Sequence, residues 1–158
     1  MTVSKSTGKI TFSFVTATLF TECSNDSLLA VSNVVKEGFD YDDFWLRENT
    51  RELFDVYLRD IHSILSVKLA KMAYGITDSF VNNGTAVSYS VKDNAAYNEN
   101  ILKAIDEVIL KCIKNYVLRE WFIKNELNDL AKYYNDQYEL SSNLLIKTTI
   151  PLRKTEVV

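Results

Sequence analysis

From Lys9 to Val15 the chain alternates Ile10, Phe12 and Phe14 with Thr11 and Ser13. That period of two predicts a short half-buried strand, because successive side chains of extended backbone point to opposite faces. The stretch that follows, to about Val35, has no clean period and reads as loop or helix, and Gly38, Asp40 and Asp42 then punctuate the chain. Between Asp43 and Ala73 the spacing changes to three and four, through Leu46, Leu53, Phe54, Tyr57, Leu58, Ile61, Ile64, Leu65, Leu69 and Met72. One long amphipathic helix is expected there, capped by Asp40 or Asp43 and ended by Gly75. At 1.5 Å per residue it would run about 45 Å.

The helical period breaks over residues 77–91. Asn82, Asn83 and Gly84 form a tight-turn signal, and beyond them Val87, Tyr89 and Val91 alternate with Ala86, Ser88 and Ser90. This predicts a β-hairpin that projects from the helices and offers an exposed edge to neighbouring chains. A second helix is expected from near Asp93, carrying Ile101, Ile105, Val108, Ile109, Cys112, Ile113 and Tyr116 on one side and continuing to Phe122. The pattern falters from Lys124 to Asn128, and a third helix takes up Leu130, Ala131, Tyr134, Tyr138 and Leu145. Pro151 forbids further helix and pushes Ile150 towards extended backbone. The expected fold is mainly α: a small helical bundle over residues 1–146, with a hairpin insertion at about 77–91 and extended terminal arms, the C-terminal one covering 147–158.

Composition agrees with long helices, since 158 residues include one proline and four glycines. The net charge of −3 argues against a protein that binds nucleic acid by broad phosphate neutralisation, and only the extreme C-terminus is locally basic. No apolar run approaches the roughly 20 residues that span a bilayer, so no membrane partner is expected. Lys5 and Lys9 followed by Ile10 to Phe20 and Cys23 superficially suggest an export signal or a lipoprotein. Thr11, Ser13, Thr16 and Thr18 interrupt the stretch, however, and Glu22 stands where processing wants a small residue.

Candidate chemistry is sparse. Cys23 and Cys112 are far apart, with no Cys-x-x-Cys pair or Cys/His cluster to hold zinc, and read as buried reduced thiols. The lone histidine, His62, has Arg59 where a bundle metal site would want a glutamate, and reads as a surface or interface residue. Glycine-rich phosphate loops are absent, so neither a cofactor nor an enzymatic activity is expected. Glu48, Glu52, Asp55 and Asp60, interleaved with Arg47, Arg51 and Arg59, form either a solvated ion-paired face or a seam between subunits. Aromatic clusters at Trp121–Phe122 and Tyr133–Tyr138 exceed what one side of a helix hides in so small a bundle. Such clusters are more often core than contact platforms, but on this count Trp121 and Tyr138 are candidates to face a partner.

The stretch Tyr116-Val117-Leu118-Arg119-Glu120-Trp121-Phe122, then Leu130-Ala131-Lys132-Tyr133-Tyr134 and Tyr138-Glu139, then the tail Ile150-Pro151-Leu152-Arg153-Lys154, resembles the helical head-to-tail connector proteins of tailed bacteriophages, also called adaptor, head-completion or ring proteins. What the resemblance implies is a structural virion protein: identical subunits in a ring, commonly twelvefold, docked below the portal and linking capsid to tail. Its partners would be the portal and the adjacent tail or ring proteins. Ile150, Pro151, Leu152, Arg153 and Lys154 would grip a neighbouring ring, and contact with DNA in the channel would be non-specific. A small cytosolic helical binding module is the other reading of the same stripes, and it would need no ordered arm.

Overall fold

Alternation and helical period both reappear in the computed structural model, which describes residues 2–6, 8–34, 43–72, 79–81, 85–93 and 97–149. The predicted N-terminal strand is β2 (Lys9–Val15), preceded by β1 (Thr2–Ser6) across a turn at Gly8, whose φ of 75° suits a residue without Cβ. The hairpin strands are β3 (Ser79–Val81) and β4 (Ala86–Lys92). All four form one antiparallel sheet in the order β1-β2-β4-β3.

The hairpin therefore does not project, as its sequence suggested. β4 pairs with β2 along its length, from Lys9 opposite Lys92 to Val15 opposite Ala86. The reason is apolar area: Ile10, Phe12 and Phe14 stand opposite Val91, Tyr89 and Val87, and all six are buried. A projecting hairpin would leave its three exposed, at roughly 1.5–3 kcal/mol for each large side chain. On the other face the hydroxyls of Thr11 and Ser90 meet at 3.0 Å and those of Ser13 and Ser88 at 2.9 Å. The turn at Asn82 to Gly84 lies outside the described residues, as do Gly38, Asp40, Asp42 and Gly75.

Strand β2 runs directly into α1 (Thr16–Val34), the stretch that lacked a clean period. Thr16, Leu19, Phe20, Cys23, Ser24, Ser27 and Val31 are its buried positions. Helix α2 spans Arg51–Met72 behind a 3-10 turn at Glu48–Thr50, so it begins later than Asp43. The hydrogen bonds explain the delay. Ser24 Oγ donates to the Leu46 carbonyl at 2.7 Å and the Leu46 N–H donates to Ser27 Oγ at 2.9 Å, which commits that backbone to α1. Arg47 then acts as an extended N-cap whose N–H donates to Thr50 Oγ1 at 3.0 Å.

Helix α3 (Glu99–Lys124) starts after Asn98, whose side-chain oxygen accepts from the Ile101 N–H at 3.0 Å. It lies at the centre, packed on α4, α2 and α1. Asn125 closes it by donating from its amide to the Trp121 carbonyl at 2.8 Å, and Glu126 turns the chain at φ 60° into α4. Helix α4 runs Asn128–Thr149, past the boundary drawn at Lys147. No breaker precedes Pro151, and the Thr148 hydroxyl donates back to the Leu144 carbonyl at 3.0 Å. Residues 150–158 lie outside the described residues.

Candidate interaction surface

Most of the groups that carry reactive chemistry point inward. His62 is 5% exposed and its ring lies 5.0 Å from that of Tyr89, so it joins sheet to helix inside the fold, where a surface or interface histidine was expected. Its place was legible: Leu58, Ile61, Leu65 and Leu69 form the buried stripe of α2, and His62 shares that stripe. Lys68 of α2 reaches α4, donating to Ser142 Oγ and, at 3.5 Å, to the Tyr138 hydroxyl. Cys23 and Cys112 are both buried free thiols, as read from the sequence. Burial pushes the Cys23 thiol far above its ordinary range. It raises Cys112 too, against the opposing pull of the Ser141 hydroxyl and of Lys68. Among the described residues no group of three or more His, Cys, Asp or Glu is placed to hold a metal ion.

Trp121 and Tyr138, chosen as candidates to face a partner, are instead core residues, 2% and 8% exposed. The Trp121 indole N–H donates to the Phe44 carbonyl at 2.8 Å, which pins the segment before α2 onto α3. Tyr138 meets the Tyr116 ring edge-on at 5.6 Å, with the Arg119 guanidinium 5.3 Å from its centroid. The aromatic excess is absorbed because α3 is packed from three directions, not one. Ile150, Pro151, Leu152, Arg153 and Lys154 lie outside the described residues.

What faces outward on α4 is a different set. Tyr133, Leu140 and Leu144 are 55%, 63% and 46% exposed. At 100° per residue they fall within about 40° of one another, on one face of the helix, with Asp136 and Gln137 in the turn between Tyr133 and Leu140. Beside it lies a groove of about 490 Å³ between α3 and α4, lined by Leu140, Leu144, Gln137 and Asn143 and flanked by Lys111 and Lys147. Helix α2 presents Val56 and Val67 outward, 38% and 56% exposed, among the exposed Glu52, Arg59, Asp60 and Ser63. Arg51 sits over the Phe20 ring at 4.3 Å while reaching Glu48 at 3.7 Å and Asp55 at 3.9 Å. Lys114 ties α1 to α3 through Asp26 at 2.8 Å and Glu22 at 3.2 Å.

These ridges escaped notice in the sequence because Tyr133 and Leu140 belong to the same apolar count as the core. Only their phase against Ala131, Tyr138 and Leu145, which are buried, separates them. In comparisons with known proteins, no family model, no curated protein and no solved structure matches the chain.

Proposed function

We propose that this chain is a structural subunit, working without catalysis, of a multi-chain assembly. Following its resemblance to connector proteins, we take that assembly to be the head-to-tail junction of a tailed bacteriophage. The observation that carries the first part is the outward apolar ridge Tyr133, Leu140 and Leu144 beside a groove on a helix otherwise well packed. Exposed large apolar side chains grouped on one helix face are what a contact surface offers, which supports reading this face as one. The order of elements supports the second part: a long helix ends in the Trp121–Phe122 segment, a short break follows, and an aromatic-rich last helix precedes a proline-containing basic tail.

In this reading the mechanism is geometric. Helices α3 and α4 form a stiff antiparallel pair, α4 turns its ridge to neighbouring chains, and Ile150 to Lys154 reach a further ring. The net charge of −3 leaves any contact with channel DNA weak and sensitive to salt. Quantitative mass spectrometry of gradient-purified particles from producing cells tests it. The expected result is this chain at the copy number of a ring, constant relative to the portal. Particles that retain DNA and lack the chain, with the chain recovered in the cytosol on a single partner, would favour the binding-module reading instead.

A further inference from the structure

Two exposed helix faces match each other in spacing, bulk and charge. On α4, Tyr133 and Leu144 stand eleven positions apart, with Leu140 between them. On α2, Val56 and Val67 stand the same eleven positions apart on a shallower stripe, with Ser63 between them. Both helices have 22 residues, about 33 Å, and both stripes extend about 16 Å. Large side chains on one and small ones on the other are what interdigitation of two helices requires.

The charges choose the direction. Laid antiparallel with Leu144 over Val56 and Tyr133 over Val67, Leu140 enters the hollow formed by Val56, Asp60 and Ser63. Lys147, three residues beyond Leu144, then comes level with Glu52, four residues before Val56. Lys111, on the α3 side of the groove, comes to the flank that carries Asp60. Among its lining residues the groove has lysines and no carboxylate. Laid parallel, the same faces bring Lys111 to the flank of Arg59 and Asp136 to that of Asp60.

We propose that the α3–α4 groove and ridge are the docking site for α2 of a second copy of this chain, joined antiparallel. The contact is heterologous, since each copy offers α2 on one side and α4 on another, so repetition generates a ring or an open chain of subunits. It rests on the reading of the protein as an assembly subunit and assigns that reading a seam.

The test uses the full chain with Val56→Cys and Leu144→Cys, which the seam brings together. Native Cys23 and Cys112 are buried and do not compete. Mild oxidation should give a ladder of dimers, trimers and higher species from the double variant, and at most dimers from either single one. Adding Lys111→Glu with Lys147→Glu should cut the ladder about tenfold or more, and so should adding Glu52→Lys with Asp60→Lys. Mixing the two charge-reversed proteins should restore it, because each then offers the other a complementary face. No ladder at high protein concentration, an undiminished ladder in either reversed protein, or no rescue on mixing would overturn the seam. Circular dichroism of each variant, matching that of the parent chain, shows that altered charge and not unfolding is being read. Should the seam fail while purified particles still hold the chain at ring copy number, only the seam falls.

Discussion

Replacing Trp121 separates a core residue from a contact residue. The indole is 2% exposed and donates to the Phe44 carbonyl at 2.8 Å. Trp121→Ala removes the largest fully buried side chain of the fold, a change that typically costs 3–5 kcal/mol by lost transfer energy and cavity. Trp121→Phe keeps a ring but loses the hydrogen bond, about 1 kcal/mol, and leaves a smaller void, so about 2 kcal/mol in all is expected. Against the roughly 5–15 kcal/mol of an ordinary domain, the alanine variant should lose at least about a fifth of its stability. Urea unfolding followed by far-UV circular dichroism measures both. Leu140→Ala is the control: at 63% exposure it should stay within about 0.5 kcal/mol of the parent chain. If Trp121→Ala unfolded with the parent's midpoint while losing assembly, the indole would be a contact residue and its placement in the core would be refuted.

Burial also raises the phenol pKa values of Tyr57, Tyr97, Tyr116, Tyr138 and Tyr134, the last to about 12. A phenol that titrates at 12 folded and near 10 unfolded holds its proton longer in the native state, so stability is full below pH 10 and falls between about 10 and 12. Absorbance at 295 nm should show a late-titrating group of tyrosines that merges with the rest in denaturant; a single early transition would contradict it. Asp106 is 4% exposed, and one of its carboxylate oxygens has no hydrogen-bond partner among the described residues. Burial raises its pKa, with Glu107 adding, so ionisation at neutral pH works against folding. Asp106→Asn should therefore raise the thermal midpoint at pH 7, and the gain should fade as pH falls through the ordinary carboxylate range near 4; an unchanged or lower midpoint at pH 7 would contradict this. Cys23 and Cys112 should resist a water-soluble disulfide reagent at pH 8 in the native chain and react on unfolding. Rapid native reaction would place them at the surface.

Strand β2 and helices α2, α3 and α4 were legible because each keeps one period over many residues. Less visible was α1, whose inward face carries Ser24 and Ser27 for hydrogen bonds to Leu46, and these hydroxyls interrupt the apolar pattern. The union of β2 with β4 joins residues more than seventy positions apart. Each strand announces its own alternation, but nothing local names its partner. His62 was misplaced for a different reason: its phase puts it on the buried stripe, but a polar ring there reads as an interruption unless a neighbour such as Tyr89, tilted against it at 5.0 Å, is known. At the surface, sequence reasoning chose the most aromatic residues, whereas the fold buries Trp121 and Tyr138 and leaves Tyr133, Leu140 and Leu144 outside. Phase on α4 decides that, and phase needs the neighbours of the helix to be known.

The central claim, an assembly subunit at the head-to-tail junction, is tested most directly by electron cryomicroscopy of that junction in purified particles. The account predicts a ring of repeated densities that fit the α3–α4 pair, with the Tyr133–Leu144 ridge covered by an adjacent chain. Ring densities that accommodate no copy of this fold would contradict it, and so would copies whose ridge faces open solvent.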